Sequence, residues 1–215
     1  MHISNLRSSI SMAIIDEMRV TATAAAELLC RRLEPGEAGL YRTLRLDGLK
    51  RCPDPFGSTY EEESQSPRLA FESAIEARAV DRFVVGAFLA RRLVGLAGFT
   101  RGDRRKTSHR GAVSQVYVDP DLQGRAFGRA LMHSTIESAF ALPQIEQIEL
   151  GVVSTNSAAL RLYQVLGFER FGWCEDALRV GEMRWAMCHM RLTRARFVAR
   201  VHGQQTRRFD QHALR

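Results

Sequence analysis

The sequence predicts one α/β (α+β) domain, with a mixed sheet of about seven strands at its centre and about four helices on its faces. Three observations carry this. At 215 residues the chain is long enough for one sizeable core. Its periodicities run in the order β-α-α-β-β-β-α-β-α-β-β. That order is not a regular strand-helix alternation, which disfavours a doubly wound dinucleotide fold.

The elements follow in order. ELLCRRLEP reads as a strand closed by Pro35-Gly36. In GEAGLYRTLRLDGLKRC, Leu40, Leu44 and Leu49 recur near helical spacing, and the helix stops before Pro53. The loop PDPFGSTYEEE leads into a second helix. Either Ser58 with Glu61 or Thr59 with Glu62 supplies its capping box. RFVVGAFLA and LVGLAGFTR, split by Arg91-Arg92, read as a hairpin, and AVSQVYVDP is the next strand, stopped by Pro120. Residues 127–141 are helical, with Phe127, Ala130, Leu131 and Ser134 on one face. IEQIELGVV is a strand, NSAALRLYQVLGF a short helix ended by Gly167, and FERFGWC and MRWAMCHMRL a closing strand pair. Residues 1–26 are set apart as a leader and 193–215 as a basic tail, leaving 27–192 as the domain.

The net charge of +7 suggests nucleic acid until it is located. Seven arginines and one acid lie between Arg191 and Arg215, and that stretch carries nearly all of the excess. With little aromatic interleaving beyond Phe197 and Phe209, a solvated tail is favoured over a nucleic-acid surface. The four cysteines, Cys30, Cys52, Cys174 and Cys188, form no CxxC and have no histidine at metal spacing, so no metal is expected. They fit a reduced, cytoplasmic compartment. No apolar run approaches the roughly 20 residues of a membrane span, so no membrane partner is expected.

The chemistry concentrates in VDPDLQGRAFGRAL, Val118 to Leu131. A loop entering a helix offers free backbone N–H groups and the positive end of the helix dipole, which favour anions. Gly124 and Gly128 permit close approach, Arg125 and Arg129 add charge, and Gln123 adds an amide donor. The set suits a pyrophosphate. A glycine-containing turn before an ordinary helix is the other reading these residues allow.

Here the chain resembles the GNAT family of acyl-CoA-dependent N-acetyltransferases. The family signature Q/R-x-x-G-x-G/A appears as Gln123, Gly124, Arg125, Ala126, Phe127, Gly128, with Ala126 where glycine is usual. A second hallmark, N-x-x-A-x-x-L-Y-x-x-x-G-F, is complete in Asn156, Ala159, Leu162, Tyr163, Gly167 and Phe168. The resemblance runs from about Glu27 to Leu192. It implies a mostly antiparallel sheet and acetyl-CoA as co-substrate. It implies that Val116, Tyr117 and Val118 pair with the pantetheine arm, and that the loop from Gly124 to Arg129 holds the pyrophosphate. Asn156 would hydrogen-bond the arm, and Tyr163, about two helical turns on, would meet the thioester sulfur as general acid. Ala126 is expected to fit a helical first turn and to tighten the clearance slightly.

The implied reaction is direct attack by a neutral amine on the acetyl carbonyl, the acceptor being a small molecule or a peptide. An alkyl ammonium with pKa near ~10 must first lose a proton. Glu149 on the strand after the loop helix is the candidate base, with an outward strand position as its alternative. Glu61 and Glu62, at the start of the second helix, are candidates for drawing in a cationic amine, and a solvated helix start is theirs. A non-catalytic acyl-CoA-binding module is the competing function. A homodimer is a possible assembly without a legible signal.

Overall fold

Seven strands form the sheet: β1 (Leu28–Arg32), β2 (Arg82–Leu89), β3 (Arg92–Arg101), β4 (Arg110–Val118), β5 (Gln147–Val153), β6 (Glu169–Val180) and β7 (Met183–Thr193). Their order is β1-β2-β3-β4-β5-β7-β6. The computed structural model describes residues 28–124 and 126–200; the leader, Arg125 and the end of the tail lie outside the described residues. Every pairing is antiparallel except β4 with β5, which is parallel. The mixed, mostly antiparallel sheet is therefore as expected.

The helices are α1 (Ala38–Arg51), α2 (Tyr60–Gln65), α3 (Glu72–Glu76), α4 (Phe127–Phe140), α5 (Ser157–Leu166) and α6, described over residues 194–200. The expected second helix is two short ones. Ser66 leaves helical conformation at φ −71, ψ 128, as a residue preceding proline does. Of the two capping boxes, Thr59 with Glu62 forms: the Thr59 hydroxyl accepts from the Glu62 N–H and the Glu62 carboxylate from the Thr59 N–H.

β2 and β3 are buried on both faces, which is why their sequences run apolar without alternating. Successive residues divide between two cores. Val85, Ala97 and Phe99 pack with α4 and α5, whereas Val84, Leu96 and Tyr117 pack with α1 and the Leu69–Ile75 segment. The inward face of α4 differs from the sequence reading. Leu131, Met132, Thr135, Ile136, Ala139 and Phe140 are buried, and Ala130 and Ser134 sit at its margin. The Met132–Ile136 and Ile136–Phe140 spacing sets the true stripe.

The chain does not become a free tail at residue 193. Arg194 donates to the carbonyls of Ile145 (2.8 Å), Phe140 (2.7 Å) and Leu142 (2.7 Å), closing the C-terminal end of α4, and Phe197 packs on the larger core. Arg191 and Arg196 pair with Glu169, and Arg200 donates to the Val165 carbonyl. Three arginines of the expected basic tail, Arg194, Arg196 and Arg200, are thus engaged by the domain.

Candidate active site

The parallel ladder between β4 and β5 is short. It pairs Arg110 with Gln147, Gly111 with Ile148 and Ala112 with Glu149, and then stops. Beyond Ala112 the strands part, and the edge of β4 that faces β5 has no ladder partner. A cleft of ≈ 410 Å³ opens there, lined by residues 113–118 of β4 and 151–153 of β5.

The β4 wall is irregular. Ser114 pairs with Gly98 and Tyr117 with Leu96, so Gln115 and Val116 stand opposite Ala97 alone. Gln115 takes φ 56, in the left-handed region. Val116 and Val118 lean on the larger core. The Tyr117 side chain turns to the other face, packs with the smaller core and donates to Asp47 on α1 at 3.0 Å. Burial, with the Asp47 hydrogen bond, raises its phenol above the usual range.

At one end the cleft meets the loop. Gln123, Gly124, Ala126, Phe127, Gly128 and Arg129 line it; Arg125 lies outside the described residues. Gln123 uses its amide on the Val118 carbonyl (3.2 Å), bracing the loop against the strand it leaves. Gly124 has φ 78 with open space beside it. Ala126 departs from the expected helical turn. It is not in a helical turn but is the residue preceding α4, at φ 62, ψ 5. The family's glycine therefore answers a backbone requirement rather than a clearance, and alanine meets it at a cost of about 1–2 kcal/mol. No side chain caps α4 and no acid lies in its first turn, so its leading N–H groups remain available to an anion. A Cβ on Gly128 would meet only Leu162 at 3.5 Å and Val118 at 3.9 Å, ordinary contacts.

α5 forms the far wall. Asn156 caps it, Oδ1 accepting from the Ala159 N–H at 3.0 Å, which leaves the carboxamide NH₂ beside the cleft. Tyr163 lines the same cleft, its ring against Phe168 at 5.9 Å and its hydroxyl without a protein partner among the described residues. Burial pushes its phenol well above the ordinary value, so it stays a protonated donor.

Three candidates are not in this group. Glu149 points away from the cleft into a polar cluster, where Arg110 (3.1 Å) and Gln147 (2.6 Å) donate to it. The geometry does not support it as the base. Glu61 and Glu62 stay on the exposed start of α2, and Glu62 is occupied by its capping box. No acid or histidine lines the cleft among the described residues. Residues to which the sequence assigns no site role also line it: Cys52, Pro55 and Phe56, from the chain after α1, and Ala158 and Leu162 of α5. The last two sit inside the Asn156–Tyr163 hallmark and were findable by its helical period; the others carry no local signal.

A strand pair that splits beside an uncapped helix start makes a cleft suited to an extended ligand that carries an anion at one end. The profile of the Acetyltransferase (GNAT) family matches residues 47–168. The chain belongs to that family. It is 32% identical over 123 residues to the N-alpha-acetyltransferase RimI of Mycobacterium tuberculosis, covering 57% of this chain and 73% of that protein. It is 36% identical over 98 residues to the mycothiol acetyltransferase of Thermobispora bispora, covering 43% of this chain but only 32% of that longer protein. In fold it is similar to yncA of Salmonella typhimurium, solved with its cofactor acetyl-CoA. The TM-score is 0.65 at 18% identity, over 78% of this chain and 94% of that one. Among the described residues no cluster of ligating side chains suited to a metal occurs, and no helix is long and apolar enough to cross a membrane.

Proposed function

We propose that the chain transfers the acetyl group of acetyl-CoA to a primary amine by direct attack, with both substrates in the β4–β5 cleft together. The observation that carries this reading is the interrupted ladder. It presents an open strand edge at residues 116–118, a glycine-bearing loop at one end and Tyr163 on the opposite wall.

Acetyl-CoA supplies an activated thioester. The open edge of β4 receives the pantetheine arm as an added strand. The loop from Gly124 to Arg129 and the free N–H groups of α4 hold the pyrophosphate. The Asn156 NH₂ holds the arm while its Oδ1 caps α5. Tyr163 donates its proton toward the sulfur as negative charge grows there, and a β4 backbone N–H faces the acyl oxygen. With no acid or histidine on the cleft wall among the described residues, the acceptor loses its proton to solvent before attack, and its own pKa governs the pH profile.

The first acceptor class to test is a peptide α-amine, because RimI, most of whose length aligns here, is an N-alpha-acetyltransferase. Four free thiols support a cytoplasmic setting. Exposed Phe171 and Trp173 on the edge strand β6 support a homodimer.

The test is free-thiol release from acetyl-CoA with peptides bearing free N-termini, polyamines, amino acids and aminoglycosides. Amine-dependent release by the wild type, strongly reduced in Tyr163→Phe, is expected. No release over the whole panel removes the catalytic reading. Calorimetry with CoA then separates a binding module from a misread cleft.

A further inference from the structure

The bulge in β4 is occupied by the wrong kind of residue. Where two residues oppose one and the first is left-handed, glycine is the usual occupant. Here that residue is Gln115, at φ 56. It sits where β4 has lost β5 as a partner, and it lines the cleft. One side-chain bond holds it. The hydroxyl of Tyr41, on the first turn of α1, donates to Gln115 Oε1 at 2.9 Å across 74 positions of sequence. Tyr41 is itself fully buried, its ring edge-on to Phe71 at 6.1 Å. Burial, the largest influence, pushes its hydroxyl up to about 12, so it remains a donor at any working pH.

We propose that Tyr41 is a positioning residue for acyl transfer: its hydroxyl holds Gln115 in the left-handed bulge and so fixes the backbone of β4 that faces the reacting carbonyl. α1 thereby acts on the transfer step through β4, without touching either substrate. The tether supplies from outside the strand what glycine would supply from within it. This rests on the acetyl-transfer reading for its kinetic consequence, but not for its structural one.

Two measurements on the full chain test it. The first is acetyl transfer to whichever panel amine the wild type uses. Tyr41→Phe lowers kcat about tenfold, the rate equivalent of one non-glycine residue's left-handed preference, and moves the KM for acetyl-CoA by less than about twofold. In a Gln115→Gly background, where the backbone adopts the bulge unaided, adding Tyr41→Phe changes kcat by less than about twofold. The second is amide hydrogen exchange over residues 111–118, which needs no activity. Tyr41→Phe speeds exchange there in the wild-type background and not in Gln115→Gly. An unchanged kcat and unchanged exchange in Tyr41→Phe overturn the proposal. An equal loss in both backgrounds does so too, because it makes Tyr41 a packing residue only. If the wild type acetylates nothing, the functional reading fails and exchange alone decides the tether.

Discussion

Arg51 donates to Asp119 at 2.8 Å, joining the last turn of α1 to the residue that follows β4 and begins the approach to the loop. Arg92 donates to the other carboxylate oxygen, and the Asp121 N–H bonds to the same side chain. Burial works to raise the Asp119 pKa, but the Asp121 N–H and the two guanidiniums outweigh it and hold the group below the usual carboxylate range. A depressed carboxyl adds stability above its unfolded pKa of ~3.9 and loses it as pH falls through the folded value. Asp119→Asn should therefore lower stability by about 1–3 kcal/mol at pH 7, discounted because both arginines are partly exposed. Urea unfolding at pH 7 and near pH 3 checks it: the gap between variant and wild type narrows in acid.

Ala126 and Gly124 predict opposite signs. Ala126→Gly relieves a left-handed alanine and should raise stability by up to about 1 kcal/mol. Gly124→Ala, at φ 78, imposes the strain that the first change removes, and should destabilise by about 1 kcal/mol. Thermal unfolding with and without CoA reads both, and a melting temperature moving the same way in the two variants would contradict the assignment.

Tyr163→Phe should lower kcat by about 10²-fold while CoA affinity by calorimetry stays nearly constant, as for loss of a donor that acts mainly in the transition state. Because burial raises the phenol, the wild type should show no alkaline limb from Tyr163. With a peptide α-amine, kcat/KM should rise with pH and level near ~8; with an alkylamine it should still be rising there.

Glu149→Gln should leave kcat within about twofold, since the residue lies outside the cleft and surface changes of this kind are usually small. A steep loss in this variant, with its CoA affinity intact, would restore Glu149 as the base and refute the solvent route.

Arg194→Ala removes three hydrogen bonds to carbonyls at the end of α4. It should cost about 2–4 kcal/mol, with hydrogen bonds from a charged donor among the stronger ones. Chemical denaturation measures it, and a loss below 0.5 kcal/mol would return this arginine to the solvated tail (~0.5 kcal/mol being the ordinary surface range).

Local chemistry was legible and contact across the chain was not. The Gln123–Gly128 loop, the Asn156 cap and the Tyr163 position follow from turn residues and helical period within about a dozen residues, and such spacing survives folding unchanged. For Glu149, strand alternation gives the face of a side chain but not its partner, and the partner Arg110 lies on another strand. The left-handed conformation of Ala126 is not legible in the sequence, because a residue name does not carry its φ.

By itself, the sequence determined the class of fold, a glycine-bearing loop that enters a helix, and a helix that puts Asn156 and Tyr163 on one face, because each is written in short-range pattern; that this helix meets a thioester is what the family resemblance implies. Only the tertiary structure decided that β4 and β5 part after Ala112, that Tyr41 reaches Gln115, and that Arg194 belongs to α4 rather than to a tail. The two side-chain contacts among them join residues 54 and 74 positions apart, and nothing in a local periodicity ranks one distant partner above another until the chain has packed.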